Sequence, residues 1–206
     1  PACPTIVSHA TSPASGSRGV GESVVVTLSA SPSGLGVGDS ATINGVDVSG
    51  SFDDSGAPQY KFEYTVQEGD ADRAANALQI SLSLEDDAGN EVTHTTTLTS
   101  SPSIFATTPT VSGASADPLG GTRKVGQSVT VTLTASESGL SKGASGSTIN
   151  GVDVESTFSA SGSQYSFEYT VAEGHADRAL DALPISLSLK DAAGNEVTHA
   201  TLANSP

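Results

Sequence analysis

Tyr60–His94, YKFEYTVQEGDADRAANALQISLSLEDDAGNEVTH, returns as Tyr165–His199, YSFEYTVAEGHADRALDALPISLSLKDAAGNEVTH, with 27 of 35 positions identical. A fixed internal period decides architecture before any single residue is weighed, and here the period is about 105 residues. Working outward, VGESVVVTLSAS at Val20–Ser31 matches VGQSVTVTLTAS at Val125–Ser136, and TINGVDV occurs at both Thr42–Val48 and Thr148–Val154. Pro4-Thr5-Ile6 corresponds to Pro109-Thr110-Val111, and the closing Ser205-Pro206 resembles Ser101-Pro102. The expected organisation is a first domain over 1–103, a linker at 104–108 and a second domain over 109–206. Further modules of the same kind are expected beyond this segment.

Within each copy the apolar residues recur every second position, which marks strands with one buried face. Val129, Val131, Leu133 and Ala135 alternate with threonines. Tyr165, Phe167, Tyr169 and Val171 alternate with Ser166, Glu168 and Thr170. Leu183, Ile185, Leu187 and Leu189 make a third such run, and each run has its equivalent in the first copy. No helix of any length is expected.

Turn residues punctuate these strands. Asn44-Gly45 and Asn150-Gly151 suit a type I′ hairpin, in which both central residues need positive φ. DDAGN at Asp86–Asn90 and DAAGN at Asp191–Asn195 place Asp at the start of a turn and a glycine, Gly89 or Gly194, before Asn90 or Asn195. That spacing suits a type I turn closed by a left-handed glycine. About seven short strands per hundred residues with regular turns predict an all-β chain of two tandem immunoglobulin-like Greek-key β-sandwiches.

Composition narrows the function classes. The net charge is −15 with only 8 Lys and Arg, which excludes phosphate-backbone recognition and predicts no nucleic-acid partner. No apolar run reaches the length needed to cross a bilayer, so no membrane insertion is expected in this segment. The single cysteine, Cys3, cannot close an intrachain disulfide, and is read as idle or as a partner for a segment outside this chain.

The combination of VGQSVTVTLTAS, a central TINGVDV, then FEYTVAEG and finally ISLSLKDAAGNEVT resembles the bacterial-type Ig-like repeats of large surface adhesins and related extracellular proteins. The resemblance covers nearly all of both copies. It implies a secreted, cell-surface location, neighbouring modules of the same kind as partners, and a role as stalk or extender; in several branches it also implies calcium at or near domain junctions.

Calcium takes six to eight hard oxygen ligands, so clustered carboxylates are its candidates. The first copy offers Glu68, Asp70 and Asp72 in one loop and Asp86 and Asp87 in a turn; the second retains Glu173, Asp177 and Asp191, with His175 and Ala192 in place of two acids. Both readings stand open at this level: calcium ligands, or acids that cap their own turns. Asp72-Arg73 and Asp177-Arg178 read as local ion pairs. His94 and His199 read as half-buried structural residues, while His9 and His175 read as isolated. No nucleophile elbow, HExxH pair or phosphate loop occurs, so no enzymatic activity is expected.

Two roles follow. The preferred one is a non-catalytic extender of a long surface adhesin or filament, spacing a terminal adhesive domain. The alternative is an adhesion module that binds a glycan or protein through the divergent loops, 32–40 against 138–147 and 49–58 against 155–163. Lateral self-assembly through sheet edges such as Glu91–Leu98 is a further expected partner mode.

Overall fold

Val and Leu at every second position, separated by Ser and Thr, give a pleated surface with one apolar face, and a single such sheet must bury that face against another. The computed structural model describes residues 3–206, and these form two compact units that divide between Thr107 and Thr108. The chain is all-β.

The first unit contains β1 Thr5–Ser12, β2 Ser17–Arg18, β3 Ser23–Ser31, β4 Gly36–Ile43, β5 Val46–Asp47, β6 Asp53–Gly56, β7 Gln59–Thr65, β8 Gln79–Glu85, β9 Glu91–Thr97 and β10 Ser103–Ile104. One antiparallel sheet has the order β1-β3-β7-β6, and the other β5-β4-β8-β9. The chain therefore changes sheet between β3 and β4, between β5 and β6, and again between β7 and β8. That is the Greek-key connection of an immunoglobulin-like sandwich. A separate parallel pair joins β10 to β2.

The second unit repeats the plan with β11 Val111–Asp117, β12 Ser128–Ala135, β13 Ser141–Lys142, β14 Thr148–Ile149, β15 Val152–Asp153, β16 Ser159–Ser161, β17 Gln164–Thr170, β18 Ile185–Lys190 and β19 Glu196–His199. Its sheets are β11-β12-β17-β16 and a second one centred on β18, which pairs with β13, β14 and β19. No strand pair equivalent to β2 and β10 occurs among its described residues. Each unit also carries one three-residue 3₁₀ turn, Ser49–Ser51 and Glu155–Thr157.

The inward residues of β3, Val24, Val26 and Leu28, are fully buried, as are Tyr60, Phe62 and Tyr64 on β7 opposite them. An aromatic side chain of this kind buries about 150–250 Å², so these rings dominate the apolar stabilisation of a small core. Phe52 stacks on Tyr60 with ring centroids 6.0 Å apart, and Phe158 repeats this on Tyr165 at 6.1 Å. Leu78 and Leu183 are buried just ahead of their strands rather than within them.

One stretch differs from the sequence reading. Residues 104–108, expected as a linker, begin with Ile104 and include Ala106, which are 1% and 0% exposed in the core of the first unit. The flanking prolines suggested a spacer, but an apolar residue at every second position of this short segment finds an open end of the sandwich to fill.

Candidate functional site: the acidic loops and the polar network behind them

The two acidic clusters of the first unit lie at opposite ends of β8, one in the loop before it and one in the turn after it. Seven strand residues at about 3.3 Å each separate them by roughly 23 Å, so they cannot share an ion.

In the turn, Asp86 Oδ1 accepts the backbone amides of Ala88 and Asn90, both at 2.9 Å, and Asn90 Nδ2 donates to Asp86 Oδ2 at 2.9 Å. Gly89 has φ of 80°, the left-handed position that closes the turn. The second unit repeats the arrangement: Asp191 Oδ1 accepts from Ala193 at 2.8 Å and from Asn195 at 2.9 Å, and Gly194 has φ of 94°. Hydrogen bonds from the Asn90 side chain, then from its backbone, hold the Asp86 carboxyl below the usual carboxylate range. Asp87 is exposed and stands outside this turn network.

In the loop, Asp70 Oδ2 accepts the Tyr64 hydroxyl at 2.8 Å and the Gln67 amide at 2.9 Å. Asp72 Oδ1 accepts the Ala106 amide at 2.7 Å. Glu68, Glu173 and Asp177 are exposed. Among the described residues no three His, Cys, Asp or Glu side chains come together as a metal-ligand set. The carboxylates of Asp70, Asp72, Asp86 and Asp191 face backbone or side-chain donors of the protein itself. This donor set does not fit calcium, which needs those oxygens turned towards one shared point.

A network that the sequence reading did not identify lies behind the loop. Asn44, at φ of 56° in its hairpin turn, is only 5% exposed. Its Nδ2 donates to the Tyr64 hydroxyl at 3.1 Å and to the Ala71 carbonyl at 2.7 Å, while its Oδ1 accepts from Arg73 Nε at 2.7 Å. Asn150 makes the same three bonds to Tyr169, Ala176 and Arg178, at 3.0, 2.9 and 2.7 Å. Each Asn therefore ties the β4–β5 or β14–β15 turn to the loop that precedes β8 or β18. The expected ion pairs Asp72–Arg73 and Asp177–Arg178 do not form, because each Arg turns inward to its Asn and Asp72 turns to Ala106. The available signal was the recurrence of Asn, Tyr and Arg together in both copies.

Burial, with the Asp70 hydrogen bond adding to it, pushes the Tyr64 phenol up to about 12, while the Asn44 hydrogen bond opposes that rise. In the second unit His175 takes the place of Asp70, its Nδ1 accepting the Ala172 amide at 3.1 Å beside the Tyr169 hydroxyl at 3.0 Å.

His9 is not isolated: its Nδ1 lies 3.0 Å from Nε2 of His94, bringing β1 and β9 together at one edge of the sandwich. Burial, and then the neighbouring His9, lower the pKa of His94. Cys3 is exposed and unpaired. No helix among the described residues is long and apolar enough to cross a membrane.

No family model matches the chain, and no curated protein matches it. Among solved structures it is similar to dimeric latent PorU from Porphyromonas gingivalis, at 13% identity and a TM-score of 0.28, over 99% of this chain and 20% of that one. It is also similar to domains 5–6 of the S-layer protein SbsC, at 12% identity and a TM-score of 0.24, over 98% of this chain and 100% of that one. The chain thus spans a fifth of the length of the PorU chain.

Proposed function

We propose that this chain is a non-catalytic extender: a pair of immunoglobulin-like repeats of an extracellular surface protein, whose work is to hold other parts at a distance. The observation that carries this reading is the duplicated Asn44 and Asn150 network. In both units the buried polar side chains and the best-placed carboxylates are spent on fixing loops to the sandwich, and the same investment is made twice. A site evolved for one ligand would be expected in one copy or in a form that differs between copies; a mechanical unit benefits from repeating the same lock.

The test is a screen of the two-unit chain against glycan and protein arrays, run beside single-molecule stretching of the same chain. The expected outcome is no specific capture and two separate unfolding events of similar force. Specific binding that disappears when loops 32–40 or 138–147 are replaced would establish the adhesion-module reading instead.

A further inference from the structure

The extender role makes no use of the pair formed by His9 and His94. These residues are 85 positions apart in the chain. They stand on β1 and β9, edge strands of the two different sheets of the first unit, which share no backbone ladder. His9 is exposed and His94 half-buried.

Register explains why the two rings meet. His9 lies opposite Leu28 and His94 opposite Leu82, and both leucines are fully buried. Each ring therefore leaves the core-facing side of its strand, at the rim of the sandwich. A bulge between Ile6 and Ser8 puts His9 there. Had the pairing of Ile6 with Ala30 continued without it, Ser8 would lie opposite Leu28 and His9 would turn to solvent. As built, His9 Nδ1 and His94 Nε2 face each other at 3.0 Å, with the ring planes tilted by 41°.

That spacing suits a shared cation. Two imidazole nitrogens bound to one ion at about 2.0–2.1 Å are about 2.9 Å apart at a right angle and about 3.3 Å apart at the tetrahedral angle. The observed distance falls between these values, and the terminal torsion of a histidine is soft enough to bring both lone pairs onto one point. Two neutral rings reach the binding form without net loss of a proton: the ring that donates the hydrogen bond moves its proton to its outer nitrogen. Burial, and then the neighbouring His9, lower the pKa of His94, which favours the neutral ring a metal needs.

The second unit has the same scaffold without the pair. An equivalent bulge between Val111 and Gly113 puts Ala114 opposite the buried Leu133, and His199 lies opposite the buried Leu187. With no ring at position 114, His199 Nε2 lies 3.2 Å from Thr201 Oγ1. Alanine serves this place in the same fold, so the sandwich does not need the histidine.

We propose that His9 and His94 form a binding site for a divalent transition cation, with Zn²⁺ as its type, which clips the edge of one sheet to the edge of the other. Imidazole selects zinc, nickel and copper over calcium and magnesium, which take oxygen ligands. Among the described residues no third His, Cys, Asp or Glu stands with the pair. Water fills the remaining positions, and the ion is held less tightly than in a closed four-ligand site. The extender role does not depend on this ion, so either can fail without the other.

The test uses the whole two-unit chain carrying Cys3→Ser, which removes an exposed thiol that would compete for the metal. Zinc chloride is titrated by calorimetry near neutral pH, with thermal unfolding beside it and magnesium chloride as the control. One zinc per chain is expected, with a rise of several degrees in melting temperature at saturating zinc, by mass action on the folded state, and no response to magnesium. His9→Ala, which installs the residue the second unit carries, is expected to weaken zinc binding at least tenfold and to abolish the rise. His94→Gln should do the same. Ala114→His sets a ring beside His199 and is expected to add a second zinc per chain. A parent chain that binds no zinc would overturn the proposal, as would zinc binding that survives His9→Ala undiminished.

Discussion

The hydroxyl of Tyr169 lies 3.0 Å from Nδ1 of His175, at the position where the first unit joins Tyr64 to Asp70 at 2.8 Å. A carboxylate and an imidazole thus serve one purpose, since both accept a hydroxyl proton and the amide that starts the same loop. What is held constant is the asparagine on the other side of the tyrosine.

Removing that asparagine is the first prediction. Asn150→Gly keeps the backbone free to adopt φ of 56° but deprives the Tyr169 hydroxyl of a donor, Arg178 of an acceptor and the Ala176 carbonyl of its partner. Leaving the buried Tyr169 hydroxyl without its donor costs about 1–3 kcal/mol. Asn150→Ala should lose roughly 1 kcal/mol more, because a side chain with Cβ is strained in the left-handed region. Urea denaturation of both variants checks the order, and a glycine variant as stable as the unaltered chain would refute the network's role.

Alkaline pH tests the same network from Tyr64. A phenol that titrates near 12 when folded and near 10 when unfolded binds its proton more tightly in the folded state. Its contribution to stability is complete below pH 10 and is lost as pH rises from about 10 to 12. Stability followed by circular dichroism, with phenolate absorbance beside it, should fall through that window, and Tyr64→Phe should flatten the fall.

Most of the fold was legible because it is written in local pattern. Val24, Val26 and Leu28 alternate with polar residues, and alternation alone assigns the buried face. Asp86 was legible as a turn former, since its partners are two and four residues on. The rest depended on contacts the sequence does not place. Asn44 was fully explained as a turn residue by its backbone, yet its side chain reaches partners 20, 27 and 29 residues away. Asp72 finds Ala106 across 34 residues. Ser103–Ile104 is too short for a period to appear, so the flanking Pro102 and Pro109 dominate a reading by sequence and leave its burial unmarked.

Gly143 carries a packing prediction. A Cβ there would collide with the Ser188 side chain and the Glu196 carboxylate, so the glycine is required by space rather than by φ. Overpacking of this kind costs about 1–3 kcal/mol. Gly143→Ala should lower stability by that amount, and Gly38→Ala should do the same in the first unit, where Ser83 and Glu91 stand in the way. Chemical denaturation of each single variant measures it; two neutral variants would mean that the loops shift freely.

Glu196 gives the acid limb. It accepts the Ser145 amide at 2.9 Å and the Ala144 amide at 3.0 Å, and these bonds, Ser145's first, hold its carboxyl down at about 2. A depressed carboxyl stabilises the fold above its unfolded value of 4.5 and loses that contribution as pH falls towards 2. Because Glu196 is only half-buried, the effect is screened by salt. Glu196→Gln should therefore reduce the slope of stability against pH between about 4.5 and 2, most visibly at low ionic strength.

The carboxylates themselves predict the response to calcium. Asp70, Asp72, Asp86 and Asp191 each accept hydrogen bonds from amides or a hydroxyl within the fold, and turning them to a cation would break those bonds. An ion that binds only the folded state must stabilise it by RT ln(1 + [L]/Kd) and so raise its melting temperature. Millimolar calcium is therefore expected to leave the melting temperature where EGTA with magnesium leaves it. A rise of several degrees specific to calcium would require the loops to rearrange on binding, and Asp70→Asn or Asp86→Asn would then identify which cluster had done so.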